Sequence, residues 1–440
     1  MLISFYYIKS TIVLAPWDHK KTIEQDVIFY YGYLPATFIY HDWSFRFADK
    51  PGFTGTVWSI PLPNGNRIQK MTMGVAMLYS PFFGIAHLYT GLTGGVTDGY
   101  SLYYQRALIW AGVFYFILGI FLLRKILIQF FDDIVVSLVL ITLSIGTNLF
   151  NYAIWEGAMS HVYSFFLFAL ALWALLKWIK SQTLGLTIIL GLAIGMIVLI
   201  RPTNAMFILF MGLYFFFRPI SFKEKWKFIA DSKWKLIVLS CAAILVIIPQ
   251  MLYWKFNTGQ YLFNSYFGNN FYFNNPQIIN GLFSYNKGWF VYTPLMLLAV
   301  TGLLLMGGKI KEWLWPTLIT MAITIYVTFS WWCWWYGGGL GARPLVEFYV
   351  IMSFPLAAFF AYVIKRNLLI KTLTTIVVVF FLWLNLYQHE QYRSSLLHWD
   401  SMSKAAYWGI WGRQSWPENY AKMLIQPNIE KAKKGEDSYP

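Results

Sequence analysis

The sequence predicts an all-α polytopic membrane protein: a bundle of about 11 transmembrane helices with a long first loop on the outer face that bears interfacial helices. Three observations carry that expectation. Of 440 residues, 58% are hydrophobic and only 12% are charged, against roughly 25% charged in a soluble domain. Mean hydropathy is +0.52. Apolar runs close to the ~20 residues that cross a bilayer recur along most of the chain.

Those runs fall near residues 2–16, 101–123, 134–150, 160–178, 184–200, 204–217, 236–253, 289–306, 313–330, 345–363 and 370–387. They make residues 1–387 one transmembrane domain, followed by an extracytoplasmic tail, 388–440. The first run is the weakest, because it is short and Lys9 sits at its middle, where a charge is expensive. Either it lies shallow or part of the span lies upstream of Met1. No small-x-small site follows Ala15, which argues against a cleaved signal peptide.

Three outer segments are more than connectors. The first loop, about 17–100, holds an amphipathic aromatic stretch, Asp26 to Tyr40, and a turn region with Pro51-Gly52, Pro61 and Pro63-Asn64-Gly65. A second apolar stretch, Met71 to Leu88, follows, interrupted by Gly74, Pro81 and Gly84. Both stretches are expected to be helices lying along the interface. Counting Met71–Leu88 as a span would reverse every later loop against the charge rule. The second segment, about 255–288, is dense in Asn, Tyr and Phe. Amides and aromatic faces suit sugar hydroxyls and pyranose rings, although such loops also occur without a ligand. In the tail, Gln388 onward is aromatic, and the charged stretch from Glu430 to Pro440 is expected to be disordered.

Lysine and arginine set the orientation. With the N-terminus inside, the inner loops carry Arg124-Lys125, Lys177, Lys180, the run from Arg218 to Lys235, Lys309, Lys311, Lys365-Arg366 and Lys371. The outer joins around 151–159, 201–203 and 331–344 are nearly free of cations. The N-terminus is therefore expected in the cytoplasm and the C-terminus outside. A net charge of +15 would suit nucleic acid, but the excess lies in loops that face anionic lipid, so membrane lipid is the expected partner and nucleic acid is not. Cys241 lies in a span and Cys333 at the outer end of another, which speaks against a disulfide or a metal pair. No internal repeat occurs, against the pattern of a repeat-built transporter.

With nineteen carboxylates in the chain, those near the outer face can be sorted one by one. Asp26 opens an amphipathic helix, where a helix cap is the plain alternative to chemistry. Glu156, in Tyr152-Ala-Ile-Trp-Glu-Gly-Ala-Met-Ser-His161, sits in a tight outer hairpin that has no structural need of an acid. His161 begins the next helix, and a lone histidine is more often a satisfied polar contact than a ligand. Lys70, Arg106 and Arg201 fall at outer helix ends, and Arg343 and Glu347 close the stretch Trp331-Trp-Cys-Trp-Trp-Tyr-Gly-Gly-Gly-Leu-Gly-Ala-Arg-Pro-Leu-Val-Glu347. One arginine at a membrane edge can simply snorkel to headgroups, whereas several on one face suit a phosphate clamp. Tyr30 and Tyr31, one turn from Asp26, complete the set of candidate substrate contacts.

An acid after the first span, a long outer loop with interfacial helices, an outer acid between the third and fourth spans and a basic-Pro break after the fifth resemble the GT-C superfamily of membrane glycosyltransferases. Within it the chain resembles the group of protein O-mannosyltransferases and the lipid A aminoarabinose transferase, as a bacterial member. The likeness covers roughly residues 1–220 by motif and the rest by topology. It matches Asp26 to the first-loop acid, Lys70 to the basic residue opening the second interfacial helix, and Arg106 to the arginine starting the second span. Glu156 matches the second-loop acid, and Arg201 the basic residue after span five. It departs at Gln25-Asp26-Val27, where relatives carry an Asp-Glu pair, and at Lys70-Met71-Thr72, where they carry Lys-Pro-Pro.

The resemblance implies a bacterial inner-membrane enzyme that moves a sugar from a polyprenyl-phosphate donor to a hydroxyl acceptor. Asp26 would be the base, and the cations would hold the leaving phosphate. No cofactor is required by this reading, though a divalent metal between Asp26 and Glu156 stays open. The rivals are a flippase of lipid-linked sugars and a polysaccharide polymerase or ligase.

Overall fold

The computed structural model describes residues 1–439. Among them the only strands are the two-residue pair Ile60–Pro61 and Arg67–Ile68. The helices begin with α1 (Leu2–Leu14), α2 (Pro16–His19), α3 (Asp26–Tyr31), α4 (Tyr33–Phe38), α5 (Gly74–Leu92), α6 (Leu102–Leu127) and α7 (Asp133–Ile145). They continue with α8 (Leu149–Ile154), α9 (Ser160–Lys180), α10 (Leu184–Ile200), α11 (Ala205–Phe217), α12 (Phe222–Asp231), α13 (Lys233–Thr258), α14 (Ile278–Phe283) and α15 (Trp289–Tyr292). Last come α16 (Leu295–Leu303), α17 (Leu314–Phe329), α18 (Tyr349–Ile364), α19 (Leu368–Arg393), α20 (Lys404–Gly409), α21 (Tyr420–Met423) and α22 (Ile429–Lys434).

Four of these, α6, α9, α13 and α19, are long and apolar enough to cross a membrane. In α13 and α19 only 17% of the most apolar window is buried, against 78% in α9. The exposed residues include Ile244, Leu245, Ile248 and Leu252 on α13, and Leu373, Ile376, Val379 and Phe380 on α19. A soluble surface does not carry apolar stripes of that length, and lipid is the solvent that accepts them. The chain is a membrane protein. Four further apolar helices are shorter, 10–17 residues each, and these helices do not confirm the expected count of about eleven spans. The run at 289–306 is divided into α15 and α16 at Thr293-Pro294, since Pro294 has no N–H to continue the ladder.

The chain forms two compact units. The first comprises Met1–Leu123, Tyr152–Ile208 and Pro219–Phe267. Within it α10 and α13 pack backbone to backbone: a Cβ on Gly191 or Gly195 would lie 2.4 Å from the Leu239 or Ala243 carbonyl oxygen, the close approach that small residues four apart allow. The stretch from Asp26 to Tyr40 is not one interfacial helix. Pro35 cannot donate to the preceding turn, so α3 and α4 are separate, and both bury most of their residues. α5 replaces the expected Met71–Leu88 helix. It buries Val75, Ala76, Tyr79 and Phe83 and exposes Ile85, Leu88, Tyr89 and Leu92.

The second unit comprises Arg124–Asn151, Leu209–Arg218 and Gly268–Pro440. Trp313 stacks on Phe354 at 3.7 Å in its core. Asn148 donates to the Leu340 carbonyl at 3.1 Å and accepts from Tyr349 Oη at 2.7 Å, holding the glycine-rich loop. Both cysteines are free. The tail corrects the expectation of disorder: through Tyr439 it is ordered, and Pro440 lies outside the described residues. Asn275 Nδ2 donates to the Gly435 carbonyl at 2.9 Å and to Asp437 Oδ1 at 3.1 Å, and Gln277 Nε2 reaches the same carboxylate at 2.9 Å. Tyr272 Oη donates to the Lys433 carbonyl. These amides satisfy groups that a composition argument leaves to water.

The bonds from Asn275 and Gln277 hold the Asp437 carboxyl below its ordinary 3.8. A depressed acid lends stability above its unfolded pKa and loses it as pH falls through the folded one. Asp437→Ala at neutral pH should therefore speed proteolysis after Lys431 and Lys434 several-fold relative to the wild type. Unchanged cleavage rates on a gel time course would show that the tail is held without this carboxylate.

Candidate active site in the first unit

Eight of the ten predicted site residues belong to the first unit, and short elements bring several of them together. Asp26 is half-buried at the first position of α3. The cap position is Gln25, with φ 51° and ψ −131° and no side-chain capping bond. Asp26 is therefore not the cap that sequence left as the alternative. A non-glycine residue at positive φ costs on the order of 1–3 kcal/mol, and here that strain lies directly before the carboxylate.

Tyr30 lies one turn on, on the same face as Asp26. It is buried and donates to Ser160 Oγ at 3.3 Å. Ser160 starts α9 and His161 follows it. His161 is buried, its Nδ1 lies 3.3 Å from Arg201 Nη1, and its ring packs on Tyr152. A guanidinium only donates, so Nδ1 accepts and the imidazole proton sits on Nε2. Arg201 itself is in extended backbone after α10, φ −152°. The helix bearing the carboxylate is thus tied through Tyr30, Ser160 and His161 to a guanidinium.

The start of α5 is fixed to the end of α10. Thr72 Oγ1 donates to the Leu199 carbonyl. Gln250 Oε1 accepts from the Met73 N–H at 2.8 Å. Gly74 tolerates no side chain, since a Cβ there would lie 2.7 Å from Ile200 N. These contacts bring the segment after Lys70 against the residues that lead into Arg201. Lys70 is half-buried, its Nζ lies 5.4 Å over the Tyr266 ring, and its carbonyl accepts from Ser265 Oγ at 2.6 Å.

Two ion pairs line the same loops. Lys20 Nζ is 3.7 Å from Glu156 Oε1 and 5.3 Å over the Trp155 ring. Arg106 Nη2 is 3.7 Å from Asp18 Oδ1, with its guanidinium 5.4 Å over Trp17. The Thr22 N–H donates to Gln105 Oε1 at 2.9 Å, which pins residues 16–22 beside the start of α6. At 3.7 Å neither pair is a hydrogen bond; the Arg106–Asp18 pair is exposed, and pairs of that kind contribute about 0–1 kcal/mol, whereas Lys20 and Glu156 are half-buried.

Some expectations change. Tyr31 is fully buried and donates to the Gly99 carbonyl, and burial lifts its phenol well above the ordinary pKa. Its hydroxyl thereby joins α3 to the loop before α6. Arg343 and Glu347 belong to the second unit. There Arg343 Nη2 donates to the Tyr336 carbonyl at 2.6 Å, and Glu347 is 1% exposed. Sequence reasoning missed Asp18, Lys20, Trp155 and Ser160. The cluster Pro16-Trp17-Asp18-His19-Lys20-Lys21 directly after the first apolar run was the available signal for the first two. Among the described residues no three His, Cys, Asp or Glu side chains gather as a metal set.

No family model matches the sequence, and no curated protein matches it. Among solved structures the chain is similar to the oligosaccharyltransferase of Archaeoglobus fulgidus in its apo form, with a TM-score of 0.48 and 14% identity. That likeness covers 95% of this chain and 56% of the other, so the chain spans little more than half of its neighbour's length.

Proposed function

We propose that this protein is a membrane glycosyltransferase that moves a sugar from a polyprenyl-phosphate carrier to a hydroxyl acceptor, with inversion at the anomeric carbon. The observation that carries the reading is the tie just described: α3, which opens on Asp26, meets Ser160 through Tyr30, and the next residue, His161, meets Arg201. A base and a phosphate-holding cation are what such a transfer requires on the protein side.

In the proposed step the acceptor oxygen attacks the anomeric carbon. The bond from that carbon to the phosphate oxygen breaks, and the acceptor proton passes to the Asp26 carboxylate. The polyprenyl phosphate leaves as an anion. Arg201, Lys70 and Arg106 supply positive charge where it develops, Arg106 by exchanging Asp18 for phosphate. Glu156, held by Lys20, positions the sugar or the acceptor. His161 orients Arg201 through its Nδ1. A divalent ion, when bound, would find Asp26 and Glu156 as its carboxylates, the second shared with Lys20.

The test is reconstitution of the purified protein in liposomes with a synthetic polyprenyl-phosphate sugar, with release of polyprenyl phosphate as the readout. Mass spectrometry of envelope glycans from a strain lacking the protein identifies the acceptor. Loss of one sugar from the glycan with accumulation of its lipid-linked donor is expected. Accumulation on the inner leaflet alone, with no transfer by the reconstituted protein, would instead indicate a flippase.

A further inference from the structure

Helix α12 was not foreseen, because its lysine-rich sequence reads as an inner loop. It is a complete ten-residue helix with its own capping box: Ser221 Oγ accepts from the Glu224 N–H, and the Glu224 carboxylate accepts from the Ser221 N–H. It buries no residue fully. At about 100° per residue, Phe222, Trp226 and Ile229 fall on one narrow face, and they are 63%, 57% and 37% exposed. Lys225 and Phe228 lie about a quarter-turn to one side and are its half-buried residues, with the Phe228 ring 5.6 Å from Trp178.

The charges are segregated around that apolar face. Lys223 lies beyond one edge of it and Lys225 beyond the other, Lys227 lies further round from Lys223, and Glu224 and Asp231 lie opposite. Residues 218–235 contain six cations, Arg218, Lys223, Lys225, Lys227, Lys233 and Lys235, against these two acids. The helix is also continuous with the bilayer. Only Ser232 separates it from α13, whose apolar length suits a span. Gln182 fixes that elbow by donating to Ser232 Oγ and accepting from Lys235 Nζ at 3.1 Å. Packed on the protein along one side, the helix turns its apolar face a quarter-turn away, toward neither its own unit nor the side that carries the acids.

We infer that α12 is an anionic-lipid anchor: Phe222, Trp226 and Ile229 insert below the headgroups, and the flanking lysines bind acidic phospholipid. Apolar insertion plus a polybasic rim is the chemistry of an amphipathic helix lying in an interface. Each lysine near an anionic surface adds about 1 kcal/mol, so the two exposed ones, Lys223 and Lys227, change the immersed-to-free ratio more than tenfold.

The test uses the full chain in nanodiscs, with Cys241→Ser and Cys333→Ser as background and a nitroxide on Ile229→Cys or on Asp231→Cys. In phosphatidylcholine discs containing phosphatidylglycerol, the label at 229 should collide with oxygen and be shielded from a water-soluble nickel chelate, whereas the label at 231 should meet the chelate. Omitting phosphatidylglycerol, or adding Lys223→Gln, Lys225→Gln and Lys227→Gln, should free the label at 229, with the purified protein still monodisperse. A label at 229 open to chelate in both disc types overturns the anchor. Immersion that ignores phosphatidylglycerol overturns its selectivity for anionic lipid. Dipolar broadening without immersion would assign the face to a second copy of the chain and also overturn it.

Discussion

Asp26→Asn is expected to leave protein abundance and donor binding in place and to lower turnover by about 10²–10⁴, the usual contribution of a general base. The two effects separate because Asp26 is not the cap of α3; Gln25 occupies that position and makes no capping bond with its side chain. Asn also removes a first-turn negative charge, worth about 0.3–1 kcal/mol to a helix. That contribution by itself is too small to clear a membrane protein from the cell. What it removes from the reaction is the only feature Asn cannot supply, the basicity of a carboxylate of the same size in the same place. Asp26→Glu should recover part of the rate, since the carboxylate moves by about one methylene and transfer geometry is unforgiving. The measurement is single-turnover release of polyprenyl phosphate by reconstituted protein, alongside donor affinity. Normal turnover in Asp26→Asn would remove the base from the mechanism and put the flippase reading ahead.

How much of this was legible beforehand differs between elements for physical reasons. Helix α10 occupies Leu184–Ile200, the expected 184–200, because Thr183 caps it and Arg201-Pro202 ends it. Apolar continuity fails where a proline divides a run, as at Pro294 and Pro35, and where a helix is too polar to look like a span, as in α12. Asp26, Glu156, Arg201 and His161 could be picked out because polar residues at the ends of apolar runs are few. Their connections could not, since Tyr30 meets Ser160 across 130 positions of sequence and no local pattern encodes that pairing. The Asp18–Arg106 and Lys20–Glu156 pairs were hidden for the same reason, although their loop is conspicuous in charge. Ordering of the tail was missed because its anchors, Asn275 and Gln277, lie about 160 positions earlier. Composition reports only what the segment itself can bury.

Arg201→Ala is expected to raise the KM for the polyprenyl-phosphate donor about ten- to a hundredfold, the cost of losing a charged hydrogen bond of about 1.5–3 kcal/mol. A purely structural role makes a different forecast. Arg201 also donates to buried His161, and its removal leaves Nδ1 without that partner, which costs about 1–3 kcal/mol of stability. Both effects are therefore expected in Arg201→Ala, and a second variant must divide them. His161→Phe removes the acceptor and keeps the guanidinium. It should destabilise the protein by a similar amount, while donor KM rises only as far as Arg201 loses its orientation. Arg201→Lys keeps the charge but not the planar fork, so it should restore stability and KM only in part. The readouts are thermal unfolding in detergent and donor kinetics on the same preparations. Should Arg201→Ala and His161→Phe change stability and KM in equal proportion, Arg201 acts only by holding α9 and α10 in register, and the phosphate is held by Lys70 and Arg106 without it.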